Sequence, residues 1–241
     1  MNILISGGTG YAGFHAAIAL RNAGHSVRAM VRQSQNKRAQ KLLPEEVQLL
    51  EADLTRPETY REALAECDAL VHTVMDFADP QGTDNALFGA MDETARTSPK
   101  SRRFVYTTGC SIYGKVAARV MDETTPGNPD HALFFRMEME QKVLNGLSGW
   151  RKTVLRPGFM YGKDAQSSMS GRWFAMGTRG EVVFSGDRDK GWSWVHIKDL
   201  ARAYVLVVEA GADVDGEVFC LADEARPRCL EVMTACARAT G

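Results

Sequence analysis

The stretch Ser6-Gly7-Gly8-Thr9-Gly10-Tyr11-Ala12-Gly13 decides the fold. An apolar run, Ile3-Leu4-Ile5, stands ahead of it. Behind it Ala12, Ala16, Ala19, Leu20 and Ala23 recur at helical spacing. A strand, a glycine-rich turn and a helix, in that order, are the context a dinucleotide-binding turn requires. Gly7 is expected to make the tight turn, Gly10 to admit phosphates and Gly13 to let the helix close on the strand. The helix start offers N–H groups and the positive end of its dipole to a pyrophosphate. Thr9, Tyr11 and Ala12 complete the expected contacts. The spacing is G-x-x-G-x-x-G, one residue wider in its first interval than the G-x-G-x-x-G form. A tight loop with no ligand is the competing reading, and the flanking elements argue against it.

Further along, Gly24-His25 ends the helix and Ser26 to Val31 form a second strand. An acidic residue at the end of this strand would hold a ribose 2′-hydroxyl. Val31 stands there instead, followed by Arg32, with Lys37 and Arg38 close behind. Arginine pairs with a 2′-phosphate, so NADP is expected over NAD. The plain alternative is a solvated arginine. Residues 36–43 read as a short helix and Val47 to Leu50 as a third strand. Asp53, beside Leu54, is expected at the adenine end of the cofactor or as the cap of a helix over 57–66. Ala69 to Val74 is the continuous apolar run of a buried parallel strand, with His72 as a hydrogen-bonded core residue. A helix over 83–97 and a strand over 104–108 lead into Gly109 to Gly114. A polar loop over 115–130 forms the site rim. Then come a helix over 131–147, with Arg136 and Glu140 one turn apart, and a strand over 153–155 broken by Arg156-Pro157-Gly158. Residues 163–191 lack a clean period and are read as short strands, such as Val182-Val183-Phe184. A helix over 199–209, a strand over 218–221 and a helix from 229 complete the chain.

The 241 residues suit one α/β domain with an appended lobe. A net charge of −1 excludes a strong field for nucleic acid or anionic membrane. No apolar run has membrane-spanning length, and a strand that begins at once leaves no room for a leader. Cys67, Cys110, Cys220, Cys229 and Cys236 make no C-x-x-C pair, so a reducing, cytoplasmic setting is expected. The five histidines are scattered, and no metal is expected.

Several separated stretches together resemble the extended and atypical short-chain dehydrogenase/reductases of the NAD(P)-dependent epimerase/dehydratase type. They are Ser6 to Gly13, Gly24 to Val27, Asp53-Leu54, Phe104 to Gly114, Leu155 to Gly162 and Trp194 to Ala201. The resemblance implies a Rossmann-type doubly wound parallel sheet over 1–158, with 194–221 returning to it. It implies a small substrate lobe from 159–193 and 222–241. It places Thr73, Thr107, Arg136 and Pro157 beside the cofactor, and a dimer through the 83–97 and 131–147 helices. Such proteins carry further helices, so the chain is expected to be shortened or its pocket open.

The resemblance also implies a Ser or Thr after the fifth strand and a Tyr and a Lys four apart on the next helix. Gly109, Ala132 and Arg136 stand at those places. Arginine stays charged near neutrality and is no proton donor. Tyr113, then Ser111, then His131 are the candidates to replace the missing tyrosine. Cys110 ranks below them because no histidine is read as its partner. Three functions follow: an NADP(H)-dependent oxidoreductase on a small carbonyl or sugar-like molecule, an NADP(H) sensor without chemistry, and a non-redox isomerase or lyase.

Overall fold

The computed structural model describes residues 1–116, 120–163, 168–184 and 186–240. Parts of the expected rim loop (117–119) and of the 163–191 stretch (164–167 and 185) lie outside the described residues.

Seven parallel strands form one sheet: β1 (Asn2–Ser6), β2 (Ser26–Val31), β3 (Gln48–Glu51), β4 (Ala69–His72), β5 (Arg102–Thr107), β6 (Trp150–Pro157) and β9 (Val218–Leu221). Their order is β3-β2-β1-β4-β5-β6-β9. The order reverses between β1 and β4, the switch point at which such sheets bind ligands. Two short strands, β7 (Phe159–Tyr161) and β8 (Trp194–His196), pair in parallel outside the main sheet.

Alternation along the strands builds two cores. Ile3 and Ile5 face one way, onto α1 (Tyr11–Asn22) and α7 (Ile197–Ala210), where Ala16, Leu20, Leu200 and Tyr204 are buried. Leu4 faces the other way, with Leu70, Phe104 and Val154, onto α3 (Arg61–Glu66), α4 (Pro80–Thr97) and α5 (Phe135–Asn145). Each buried Leu or Phe contributes roughly 1.5–3 kcal/mol. A third cluster gathers Trp173 of α6 (Met169–Gly177), Trp194, and Cys229, Met233 and Cys236 of α8 (Cys229–Thr240).

Three expectations are corrected. Val182 to Phe184 form no strand; Val182 and Phe184 pack on the third cluster instead. The helix expected over 131–147 starts at Phe135, so His131 lies in the turn before it. The helix over 36–43 shrinks to α2 (Lys37–Gln40), capped by Asn36, whose side chain accepts from the Arg38 N–H. No helix among the described residues is long and apolar enough to cross a membrane.

Candidate functional site

The turn behaves as its glycines require. Gly7 adopts φ +78°, and the Gly10 N–H donates to the Gly7 carbonyl at 2.8 Å. Gly10 caps α1 from extended backbone with no side chain in the way. The first helical turn then has N–H groups without intrahelical acceptors. A Cβ on Gly13 would lie 2.3 Å from the Gly7 carbonyl oxygen and 2.6 Å from Thr73 Oγ1. Thr73 supports the turn from beneath, its hydroxyl donating to the Ser6 carbonyl at 2.8 Å. Ala12 is buried while Thr9 is partly open. A bare helix cap above a turn this close to the strand fits a pyrophosphate, and the hydride carrier of such a cofactor would extend toward the tips of β4 and β5.

At the far side, Arg32 is exposed and its charge acts on both Asp53 and Asp76. Asp53 sits below the usual carboxylate range, chiefly through the Thr55 N–H and hydroxyl, with Arg56 and Arg32 adding attraction. Its carboxylate closes a local turn on Thr55 and does not cap the helix after Pro57, whose cap is Arg56. Leu54 is buried in the second core. Arg38 lies 4.8 Å over the Phe14 ring, and its Nε and Nη2 are buried without a partner among the described residues.

A cavity of about 690 Å³ opens beyond the carboxyl ends of β5 and β6. Thr108, Gly109, Cys110 and Ser111 form one wall, Pro157 to Met160 the next, and Trp192 and Ser193 face them. Its surface is mostly apolar, with Phe77, Met121 and Met169 among the walls and Lys115, Arg172 and Lys190 as cations. His131 also lines it, and its Nε2 is buried without a partner among the described residues. A hollow of about 130 Å³ at the opposite ends of the strands, near Ser26, Arg28 and Cys67, contains none of these groups.

The candidate proton donors part company here. Ser111 and His131 reach the cavity, whereas Tyr113 is buried away from it. The Tyr113 hydroxyl donates to the Asp122 carbonyl at 2.7 Å and accepts from Arg156 Nη1 at 2.6 Å. Burial, with Cys220 beside it, pushes the phenol well above its ordinary value. Thr107 is turned inward too, its hydroxyl 2.8 Å from that of Tyr204.

Arg136, at the place of the expected lysine, is buried. Its Nη2 donates to the Thr107 carbonyl at 2.6 Å, Nη1 lies 3.0 Å from Met75 Sδ, and the guanidinium sits over the Tyr106 ring at 5.5 Å. It does not pair with Glu140 one turn on. Glu140 instead receives Arg156 and the Thr108 hydroxyl. His72 is the expected core histidine, held between Ser6 Oγ at 2.7 Å and Asp84 Oδ1 at 3.1 Å, with the Tyr106 hydroxyl on the other Asp84 oxygen. His196 caps α7, accepting from the Lys198 N–H at 3.2 Å. No cluster able to hold a metal occurs among the described residues.

The model of the NAD dependent epimerase/dehydratase family matches residues 3–222. The chain belongs to that family. Its epimerase/dehydratase relatives include a ketoreductase of Stigmatella aurantiaca, named for a 4-hydroxy-2-methyl-3-oxo-4-farnesyl-3,4-dihydroquinoline-1-oxide. That protein is 30% identical over 247 residues, covering 93% of this chain and 69% of its own. Tetraketide alpha-pyrone reductase 2 of Arabidopsis thaliana is 25% identical over 255 residues, covering 90% and 76%. Among solved epimerase/dehydratase folds, a UDP-glucose 4-epimerase of Thermus thermophilus, in complex with NAD, superposes with a TM-score of 0.78. It shares 21% identity and covers 100% of this chain and 84% of its own. At that identity the likeness is one of fold.

Asp84 escaped the sequence reading, which named Glu140, Arg156 and Arg38 but gave the first two no pairing with each other and Arg38 no contact of its own. The only signals were an acidic residue on a short helix, an arginine before a proline, and a basic pair after the second strand.

Proposed function

We propose that the chain binds NADP(H) and reduces a carbonyl compound held in the cavity, with His131 and Ser111 in the proton relay. The observation that carries this is the His131 ring, whose Nε2 is sheltered and without a partner among the described residues, beside a cavity at the carboxyl ends of the strands. Histidine is the side chain best suited to give and regain a proton near neutrality. The nicotinamide, when bound, supplies the hydride. Arg136 stays charged and fixes the tip of β5 through the Thr107 carbonyl. Arg32, exposed at the end of β2, supports a 2′-phosphate. The apolar walls, and relatives named as ketone and pyrone reductases, favour a flat apolar substrate over a bare sugar.

The test is a titration of the purified protein with NADPH and NADH, followed by a panel of ketones read by loss of reduced nicotinamide. Expected are NADPH binding and turnover of at least one apolar ketone. Absence of binding to either cofactor overturns the reading. Tight NADPH binding without turnover on any ketone, sugar or aldehyde leaves the sensor reading, which the immobilised Arg136 favours.

A further inference from the structure

We propose that Cys110 and Cys220 form a redox-active dithiol at the edge of the cavity, oxidised to a disulfide by hydroperoxides and restored by small dithiols.

The two residues are far apart in sequence: Cys110 lies in the turn that follows β5 and Cys220 on β9, and these two strands flank β6. Strands flanking a third lie nearly 10 Å apart by spacing alone, roughly twice the ~4.8 Å of neighbours, which is too far for a disulfide. The meeting depends on the chain leaving β5. After Thr107 it turns across β6, and the Cys110 thiol donates to the Arg156 carbonyl at 3.0 Å. Arg156 is the register partner of Cys220. The two cysteines thus converge on one residue, Cys110 through its thiol on the Arg156 carbonyl and Cys220 through its place beside Arg156 in the sheet, and each side chain acts on the other. Cys110 lines the cavity and Cys220 is half-buried, so a small oxidant has access. The other three cysteines are buried elsewhere, Cys67 against the Leu64 carbonyl and Cys229 and Cys236 in the third core.

The surroundings divide the labour. Cys220 Sγ lies 3.1 Å from the Tyr113 hydroxyl, which Arg156 Nη1 contacts at 2.6 Å. The Glu123 carboxylate faces Cys220 and accepts its N–H at 2.6 Å, while Glu140 is neutralised by Arg156. The neighbouring Cys110 side chain and the Tyr113 hydroxyl bring the Cys220 thiol down to about 7, against burial and the Glu123 charge. The neighbouring Cys220, with burial, pushes Cys110 up. With its hydrogen held by the Arg156 carbonyl, Cys110 is the resolving thiol, and Cys220, beside the Tyr113 hydroxyl that the Arg156 guanidinium contacts, is the attacking thiolate. Cys220 sulfur attacks one oxygen of the hydroperoxide, the O–O bond breaks, and the departing oxygen takes a proton and leaves as water or alcohol. The Cys110 sulfur then attacks the sulfenic sulfur, the S–O bond breaks, and the thiol proton leaves with the hydroxyl as water. Two electrons pass from the thiol pair to the peroxide.

The experiment treats the native protein with hydrogen peroxide, blocks remaining thiols and digests it with trypsin without reduction. Residues 104–115 and 203–228 form tryptic peptides with one of the two cysteines each. Expected is a linked pair of these peptides that disappears after dithiothreitol. In Cys110→Ser the link is lost and dimedone labelling of Cys220 rises at least tenfold, because its sulfenic acid has no resolving partner. A linked pair in wild type supports the proposal even where the variant does not fold. Over-oxidation of Cys220 in wild type without a link, or thiols that react only after denaturation, would overturn it. The outcome is independent of cofactor binding and turnover.

Discussion

The guanidinium of Arg156 lies along the carboxylate of Glu140, with Nε 3.1 Å from each oxygen and Nη2 2.6 Å from Oε2. Both side chains are buried, at 4% and 0% exposure. This pair ties α5 to β6 beside the cavity. Through it the Thr108 hydroxyl and the Tyr113 ring are held in place. Removing one partner leaves a buried charge uncompensated, which costs about 3–5 kcal/mol. Glu140→Leu alone is expected to lose that much in urea denaturation, and Glu140→Leu with Arg156→Met to recover most of it. Equal loss in the single and double variants would count against the pair as the cause.

Gly13 and Gly89 make a matched contrast. A methyl on Gly13 collides with the Gly7 carbonyl, whereas one on Gly89, exposed in α4, meets nothing within 4 Å. Gly89→Ala is expected to stabilise by about 0.5–1 kcal/mol through helix propensity. Gly13→Ala is expected to lower the melting temperature and abolish nicotinamide cofactor binding. Calorimetry with and without cofactor checks both.

Arg32→Asp is expected to move the NADPH-to-NADH affinity ratio at least tenfold toward NADH. It replaces a cation with an acid at the end of β2 and adds a third carboxylate near Asp53 and Asp76. Fluorescence titration measures the ratio, and an unchanged value refutes the role given to Arg32.

His131→Gln is expected to reduce turnover roughly 100-fold, the usual worth of a general acid, with NADPH affinity kept. Retained turnover would move the proton donor to Ser111.

Acid should loosen the His72–Asp84–Tyr106 cluster. Burial works against the Asp84 charge, but hydrogen bonding and charge from His72, together with the Tyr106 hydroxyl, hold its carboxyl below 3.8. A folded value below the unfolded one gives stability that is full above about pH 4 and fades as pH falls through the folded value. Asp84→Asn is expected to be less stable at neutral pH by about 1–3 kcal/mol. Its melting temperature should then change less than wild type between pH 5 and pH 2 in circular dichroism; parallel slopes would refute the assignment.

The parts of the fold that were legible are those written in neighbouring residues. Ser6 to Gly13 carries its strand, turn and helix within one stretch, and each apolar run that became a strand lies near its expected place. Contacts across long sequence distance were not legible. Arg136 and Glu140, one turn apart, read as a pair. In the structure the start of α5 sends Arg136 to the Thr107 carbonyl, and β6 presents Arg156 to Glu140. Tyr113 read as a cleft residue because it follows β5, yet Arg156 captures its hydroxyl. His131 ranked third as a donor, and only the packing of the turn places its ring beside the cavity with an Nε2 that has no partner among the described residues. Val182 to Phe184 had the composition of a strand, but Val182 and Phe184 pack on the third cluster.

Tyr11 opens α1 directly above the glycine turn, and its hydroxyl donates to the Gly162 carbonyl, just past β7. One phenol therefore latches the first turn of the first helix to backbone more than half the chain away. Losing that one oxygen, as in Tyr11→Phe, would release the exit of the two-stranded sheet from the start of the first helix.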